Sequence, residues 1–183
     1  MKGTAESGAD HWQFQRFICA HTVMLALEGI PAFYIHSLLA TENDLERVEN
    51  TGRLRSINRS QWQLDKLEHT LADPLTHHSK VFHELQRLIA IRRKQPAFHP
   101  NATQFTLHLG LQLFGFWRQS MRRDQSIFCI HNISNEIQQV ALSDINLIGT
   151  DEWMDLISGM TIDDQSGSIT LKPYQSVWLS NRE

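Results

Sequence analysis

The sequence has little of what marks a secreted or membrane protein. Only two of its 183 residues are cysteine, Cys19 and Cys129, and each lies in an apolar stretch, which indicates buried thiols and not a disulfide framework. The first ten residues are small and polar, without the apolar segment of a secretory signal. The longest apolar run, residues 17–27, is too short to span a bilayer. We therefore predict a cytoplasmic protein with no membrane partner.

The sequence also lacks a basic excess and the common catalytic signatures. Its 17 Lys and Arg against 20 Asp and Glu give a formal net charge of −3, whereas binding to a phosphate backbone favours excess positive charge, so no nucleic acid is expected as a partner. No nucleophile elbow, P-loop, glycine-rich dinucleotide motif or Cys-x-x-Cys pair occurs. The neighbouring His77, His78 and His83 do not have zinc-motif spacing, so no metal is predicted.

What the sequence does contain is two halves of different pattern that meet near Pro96. The first half predicts helices over residues 12–27 and 77–94, the second of them ending in a solvated basic tip, Arg92 to Lys94. Between the helices, the unbroken apolar segment AFYIHSLLA (32–40) is typical of a strand covered on both faces. After Pro96, short alternating segments separated by turn residues predict a small antiparallel β-sandwich.

Residues 41–75 show no strong period and carry many charges, which predicts a long loop beside a site. Its acidic run, TENDLERVEN, favours a solvated turn or short helix over a pair of catalytic carboxylates. For the aromatic residues of the second half, a sandwich core is favoured over a sugar-stacking platform. These aromatic residues are Phe114, Phe116, Trp117, Trp153, Tyr174 and Trp178.

The stretch TGRLRSINRS (51–60) places Arg53, Arg55 and Arg59 within seven positions. Cations this close repel one another unless something anionic or rich in oxygen lies among them. A phosphate clamp, a sugar-binding element and a solvated loop are the three alternatives, and the net charge counts against a nucleic-acid clamp.

A longer segment around these arginines, ALEGIPAFYIHSLLATENDLERVENTGRLRSINR, resembles the region of the eighth strand in the α-amylase superfamily barrel (glycoside hydrolase family 13). More narrowly, it is similar to the sucrose phosphorylase and glucosylglycerate phosphorylase branch. RLIAIRRKQPAF resembles the eighth helix, and WMDLISG with ITLKPYQSVWL resembles the last strands of the C-terminal β domain. The resemblance implies the last helix-strand-helix portion of a (β/α)8 TIM barrel over residues 1–97, followed by a small antiparallel β-sandwich domain over residues 98–183.

The function that this resemblance implies is that of a retaining α-glucosyl phosphorylase acting on sucrose or a related α-glucoside, with phosphate as the second substrate and no cofactor. The family's catalytic Asp, Glu and Asp lie upstream of the matched region, so no catalytic residue is assigned here and the chain alone is expected to be inactive. The alternative is a non-catalytic sugar-binding or oligomerisation module. A cut barrel surface predicts self-association, or pairing with the missing barrel portion.

Two substrate-binding residues follow from the same resemblance. The family motif Arg-x-Ile-Asn-Arg matches at Arg55, which would hydrogen-bond a sugar hydroxyl in the glucosyl subsite. Leu54 stands where a common version of the motif has glycine, so Arg53 stays the alternative in a shifted register. Arg59 is expected to pin the loop through backbone carbonyls or an acid. His36 is the second candidate because it follows the predicted strand, at the active end of a barrel.

Overall fold

The computed structural model describes residues 9–145, 152–163 and 167–182, which fall into two compact units. The first unit contains Ala32–Arg87, and the second combines His11–Pro31 with the residues from Leu88 onward. This division differs from the predicted boundary at residue 97 because the first helix belongs to the second unit, where it contacts two strands of the sheet.

The second unit consists of a helix and an antiparallel β-sandwich. The helix predicted over residues 12–27 is confirmed as α1, Gln13–Ala26. The strands are β1 Thr103–Leu107, β2 Leu113–Gln119, β3 Ser126–Asn132, β4 Gln138–Ala141, β5 Trp153–Asp155, β6 Thr161–Ile162, β7 Ser168–Leu171 and β8 Ser176–Ser180. One sheet has the order β1-β2-β3-β8-β5-β6 and the other pairs β4 with β7, all antiparallel. The predicted antiparallel β domain is thereby confirmed.

Buried side chains from both sheets form the core of this unit. Trp153 belongs to this core and Trp117 packs against it, which confirms the sandwich-core interpretation for these two aromatic residues. Phe116 and Trp178 are at most 1% exposed but lie outside this cluster. Phe114 differs, with 37% of its surface exposed. Because strand side chains alternate between faces, Phe114 and Phe116 share one face of β2, and the exposure of Phe114 reflects its place near the strand end.

The basic tip predicted for the second long helix is only partly solvated. Arg93 and Lys94 are exposed, as expected. Arg92 is partly buried: its Nε–H donates to the Leu25 carbonyl at 2.5 Å and its Nη2–H donates to the Gly29 carbonyl at 3.2 Å. The prediction of a solvated side chain is therefore wrong for Arg92. Its guanidinium donates to carbonyls at the end of α1 and just beyond it, which have no partner within the helix.

The first unit is helical. Its elements are α2 Ile35–Leu38, α3 Leu45–Thr51, the 3-10 helix Leu54–Asn58, α4 Leu64–Ala72 and most of α5 His77–Arg93. The prediction of a helix over residues 77–94 is confirmed by α5, and that of a short helix in the acidic run by α3. The long loop predicted over residues 41–75 instead contains α3, the 3-10 helix and α4, each too short to show a clear period. None of the described helices is long and apolar enough to cross a bilayer.

The strand predicted over residues 32–40 is not formed. Tyr34 is extended, with φ −73° and ψ 135°, but the chain then closes into the single turn of α2. A buried strand needs hydrogen-bonding neighbours on both edges, and no described strand pairs with this segment. The backbone groups are satisfied locally instead, through Leu39 N–H to Ile35 O at 3.0 Å and Thr41 N–H to His36 O at 2.8 Å.

Candidate functional site

The turn that carries Arg55 is the 3-10 helix Leu54–Asn58, which follows α3 directly. The Asp44 carboxylate begins α3 by accepting a hydrogen bond from Arg47 N–H at 2.9 Å, and Gly52 ends it with φ 63°. A left-handed residue at this position reverses the chain, and glycine adopts that conformation without a steric penalty. As a result, the 3-10 helix folds back against α3.

Three consecutive backbone carbonyls at the end of this turn are each held by a different donor. The pairs are Asp44 N–H with Ile57 O at 2.7 Å, the Tyr34 hydroxyl with Asn58 O at 2.5 Å, and Arg47 Nη1–H with Arg59 O at 2.9 Å. These donors come from α2 and α3 or the residues next to them. The backbone beside Arg55 is therefore fixed from two sides.

Arg47 has the role that was predicted for Arg59. The Arg59 side chain makes no hydrogen bond or ion pair with a described residue, while Arg47 reaches the Arg59 carbonyl. The sequence motif pointed to the arginines of the turn and not to the donors that hold it. For Arg47, the available sequence signal was its place three residues after Asp44, the residue that caps α3. For Tyr34, the sequence contained no signal of a polar role, because the residue lies in an apolar run.

The Arg55 residue is exposed to solvent. Within the described part of the chain its guanidinium makes no hydrogen bond or ion pair, and the same holds for exposed Arg53. The two arginines differ in their backbone: Arg55 lies inside the 3-10 helix, whereas Arg53 precedes it with φ −102° and ψ 102°. The turn thus presents charged donors to solvent from a fixed main chain.

His36, the second candidate, lies in α2 and is connected to the Arg55 turn through Tyr34. The two rings pack edge to face, with centroids 5.2 Å apart, and the Tyr34 hydroxyl binds the Asn58 carbonyl. The Nδ1 atom of His36 is buried and has no hydrogen-bond partner among the described residues. The structure brings the segments of His36 and Arg55 together through a shared tyrosine, although no strand places His36 there.

Neither a metal centre nor a pair of catalytic acids is formed at this site. No group of three or more His, Cys, Asp or Glu side chains in residues 9–145, 152–163 and 167–182 is placed to hold a metal ion. In the acidic run, Asp44 caps α3, and Glu46 lies in the first turn of that helix. A carboxylate there interacts favourably with the positive end of the helix dipole. Among the described residues of this site, no nucleophile has a base beside it.

Comparisons with known proteins support the family that the motifs suggested. No family model matches the chain. Glucosylglycerate phosphorylase of Escherichia coli K12 is 35% identical over 173 residues, which cover 93% of this chain and 29% of the relative. Glucosylglycerate phosphorylase of Allomeiothermus silvanus is 33% identical over 171 residues, which cover 93% of this chain and 28% of the relative.

A solved structure shows the same fold. The α-amylase of Anoxybacillus aligns with a TM-score of 0.69 and 17% identity, over 91% of this chain and 32% of that protein. The predicted resemblance to the α-amylase superfamily and to its phosphorylase branch is thus confirmed. The chain spans under a third of the length of the curated relatives described above.

Proposed function

We propose that this chain, which belongs to the α-amylase superfamily and corresponds to a C-terminal portion of such a protein, supplies part of the glucosyl-binding site of an α-glucoside phosphorylase. The observation that carries the proposal is the Arg55 turn, whose backbone is held by three hydrogen bonds while its guanidinium stays free. The substrate of the intact protein would be glucosylglycerate, sucrose or a related α-glucoside. We also propose a cytoplasmic location, in keeping with two free, buried cysteines.

In this proposal Arg55 donates hydrogen bonds to a hydroxyl of the bound glucosyl unit. The planar fork of guanidinium N–H groups suits a pair of oxygens, and a fixed backbone reduces the ordering cost of binding. His36 is the second substrate-binding residue in this proposal, because its ring packs on Tyr34, whose hydroxyl binds the Asn58 carbonyl of the Arg55 turn. Arg53 remains the alternative to Arg55 if the motif is shifted by two residues.

The chemistry itself would belong to the rest of the protein. In the retaining mechanism one carboxylate forms a covalent glucosyl-enzyme, the second protonates the leaving oxygen, and phosphate then attacks the intermediate. The chain would contribute substrate binding from residues 1–97, proposed as the end of the catalytic barrel, and a β domain from residues 98–183. No cofactor takes part in this mechanism.

The sharpest test of this role is a chimera. Residues 12–182 of this chain replace the matching segment of the E. coli phosphorylase, and phosphate-dependent release of glucose 1-phosphate from glucosylglycerate is measured. We expect Arg55→Ala to lower kcat/KM about tenfold, the effect of losing one charge-assisted hydrogen bond.

Two controls accompany this experiment. Arg53→Ala removes a neighbouring exposed guanidinium and should leave kcat/KM near that of the unmodified chimera. The reverse result, with Arg53→Ala impaired and Arg55→Ala active, would assign the role to Arg53. The chain by itself should release no glucose 1-phosphate; turnover by the isolated chain would contradict the view that it lacks the catalytic carboxylates.

A second candidate function is a non-catalytic module that pairs with another polypeptide. The first unit exposes several large apolar side chains: Leu54 is 81% exposed, Leu75 80% and Leu64 67%. A contiguous apolar patch marks a surface that a partner covers, and this candidate function requires these leucines to form one. Light scattering tests this function, since a clean monomer that also fails to pair with the upstream part of the E. coli relative would exclude it.

A further inference from the structure

A polar cleft in the first unit contains binding groups that the proposed function does not use. Its volume is about 730 Å³, within the range of small-molecule sites. The walls come from residues 41–44, 60–63 and 77–78, together with Lys66. None of Arg53, Arg55, Arg59 and His36 lines it.

The aromatic wall of the cleft is held in place from two sides. The Trp62 indole N–H donates to the Thr41 hydroxyl at 2.9 Å. Its ring packs edge to face against His78, with centroids 5.1 Å apart and an interplanar angle of 85°. His78 is fixed in turn by a 2.7 Å hydrogen bond between Nδ1 and the Leu39 carbonyl. The indole is therefore oriented before any ligand arrives.

The charges around the cleft nearly balance. The lining contains two carboxylates, Glu42 and Asp44, of which Asp44 also caps α3, together with the ammonium of Lys66 and two imidazoles. Burial, and next the neighbouring His78, lower the pKa of His77, which favours the neutral ring. A cleft without a strong excess of positive charge is poorly suited to phosphate, and the described residues include no set of metal ligands.

The remaining wall groups are neutral and include both donors and acceptors. The amides of Asn43, Gln61 and Gln63 each offer an acceptor oxygen and two N–H donors, and Ser60 adds a hydroxyl. The hydroxyl groups of a sugar or polyol offer the same mixture of donors and acceptors. A sugar ring also has apolar C–H faces that can pack on an aromatic ring. The lining therefore matches a neutral polyhydroxylated ligand better than an ion.

From the Trp62 wall and the amide-rich lining, we propose that this cleft is a second saccharide-binding site, which takes a neutral sugar unit against the indole of Trp62. The cleft adjoins the Arg55 turn through Asp44, which donates its backbone N–H to the Ile57 carbonyl, but the proposal does not depend on the proposed function of that turn. The bound unit would exchange hydrogen bonds with Gln61 and the neighbouring amides.

The test is an NMR titration of the full chain with methyl α-D-glucopyranoside, following the indole N–H signal of Trp62. We expect a saturable shift with a dissociation constant on the order of 1–10 mM, typical of a small neutral ligand. Sodium phosphate at matched ionic strength should cause no saturable shift. Absence of a saturable shift with the glucoside, or an equal response to phosphate, would overturn the proposal.

Three variants separate this cleft from the Arg55 turn. Gln61→Ala, an exposed position, should weaken binding of the glucoside at least about threefold without loss of folding, the effect of one neutral hydrogen bond. Trp62→Ala should abolish binding, as read from the backbone signal of Thr41. Arg55→Ala should bind as the unmodified chain does; loss of the shift in Arg55→Ala with retention in Gln61→Ala would move the saccharide to the turn and refute the second site.

Discussion

Replacing Arg118 with methionine is expected to lower the free energy of unfolding by about 2–4 kcal/mol, because it removes charge-assisted donors from the buried Ala26 and Ala102 carbonyls and from the partly buried His99 carbonyl. The side chain is 0% exposed although it carries a charge. Its Nη1–H donates to the Ala26 carbonyl at 2.8 Å, and its Nη2–H donates to the His99 carbonyl at 3.0 Å. Arg118 thus joins the last residue of α1 to the segment that precedes β1.

The surroundings of Arg118 explain why a buried cation is tolerated here. Its guanidinium lies 5.9 Å from the centroid of the Phe98 ring, and that of Arg92 lies 5.8 Å from the same ring. Burial lowers the pKa of both arginines, yet a guanidinium remains charged in proteins. The negative end of the α1 dipole and the aromatic ring together offset the missing water.

Urea denaturation followed by near-ultraviolet circular dichroism measures this effect. Arg118→Lys should also destabilise the protein, since an ammonium cannot span two carbonyls as a planar fork does. Arg122→Met is the matched control: it removes an exposed arginine from the turn after β2 and should change the free energy of unfolding by less than about 0.5 kcal/mol. An equally small change in Arg118→Met would show that the buried carbonyls find other partners.

The role of Arg118 illustrates what the sequence could not predict. Helix periodicity identified α1 and α5 and strand alternation identified the sandwich, because those patterns are local. The burial of Arg118 depends on the Ala26 carbonyl, 92 residues away. The same holds for Arg92. Its position at a helix end could be predicted from the sequence, which favoured a solvated side chain, but its acceptor, the Leu25 carbonyl 67 residues away, could not.

The predicted strand over residues 32–40 failed for a related reason. An unbroken apolar run is typical of a strand only when neighbouring strands are present, and the described chain supplies none to Tyr34 and the residues after it. At the candidate site, a motif was sufficient to select Arg55, but the donors Tyr34 and Arg47 are defined by folding of α3 against the turn. The sequence selected Arg55 as a candidate, whereas the residues that hold its turn in place required the structure.

A buried histidine in the sheet carries the second large prediction. His131 is 0% exposed, and its Nδ1 lies 2.7 Å from the Ser176 hydroxyl. That hydroxyl donates to the Cys19 sulfur at 3.7 Å, and the Cys19 thiol donates to the Asn132 carbonyl at 3.6 Å. With its single proton given to Cys19, the Ser176 hydroxyl accepts from the His131 Nδ1–H, which corresponds to the neutral Nδ1–H tautomer.

Protonation of His131 would place a second N–H at Nε2, an atom that is buried and has no hydrogen-bond partner among the described residues. Phe116 lies on one side, with ring centroids 5.7 Å apart, so the surroundings cannot stabilise an imidazolium by hydrogen bonding. Burial accordingly lowers the pKa of His131 from 6.5 to about 3. The folded protein therefore resists a proton that the unfolded chain accepts.

Acid should destabilise the protein through this residue between pH 6.5 and about 3. In that window the unfolded state binds more protons than the folded state, so the free energy of unfolding falls as pH falls. From pH 7 to pH 5 the contribution of His131 amounts to about 2 kcal/mol. Burial also lowers the pKa of His21 and His77, so these two residues likewise destabilise the protein as pH falls, and both are retained in His131→Asn.

His131→Asn isolates the contribution of His131 to the pH dependence of stability. An asparagine amide can occupy the Nδ1 position and donate to Ser176, but it does not titrate. Urea denaturation at pH 7 and pH 5 should show that the variant loses about 2 kcal/mol less stability than the unmodified chain over this interval. His108→Asn, which removes an exposed imidazole, serves as the control and should retain the full loss. If His131→Asn and the unmodified chain lose the same stability, the folded protein accommodates the imidazolium and the prediction is wrong.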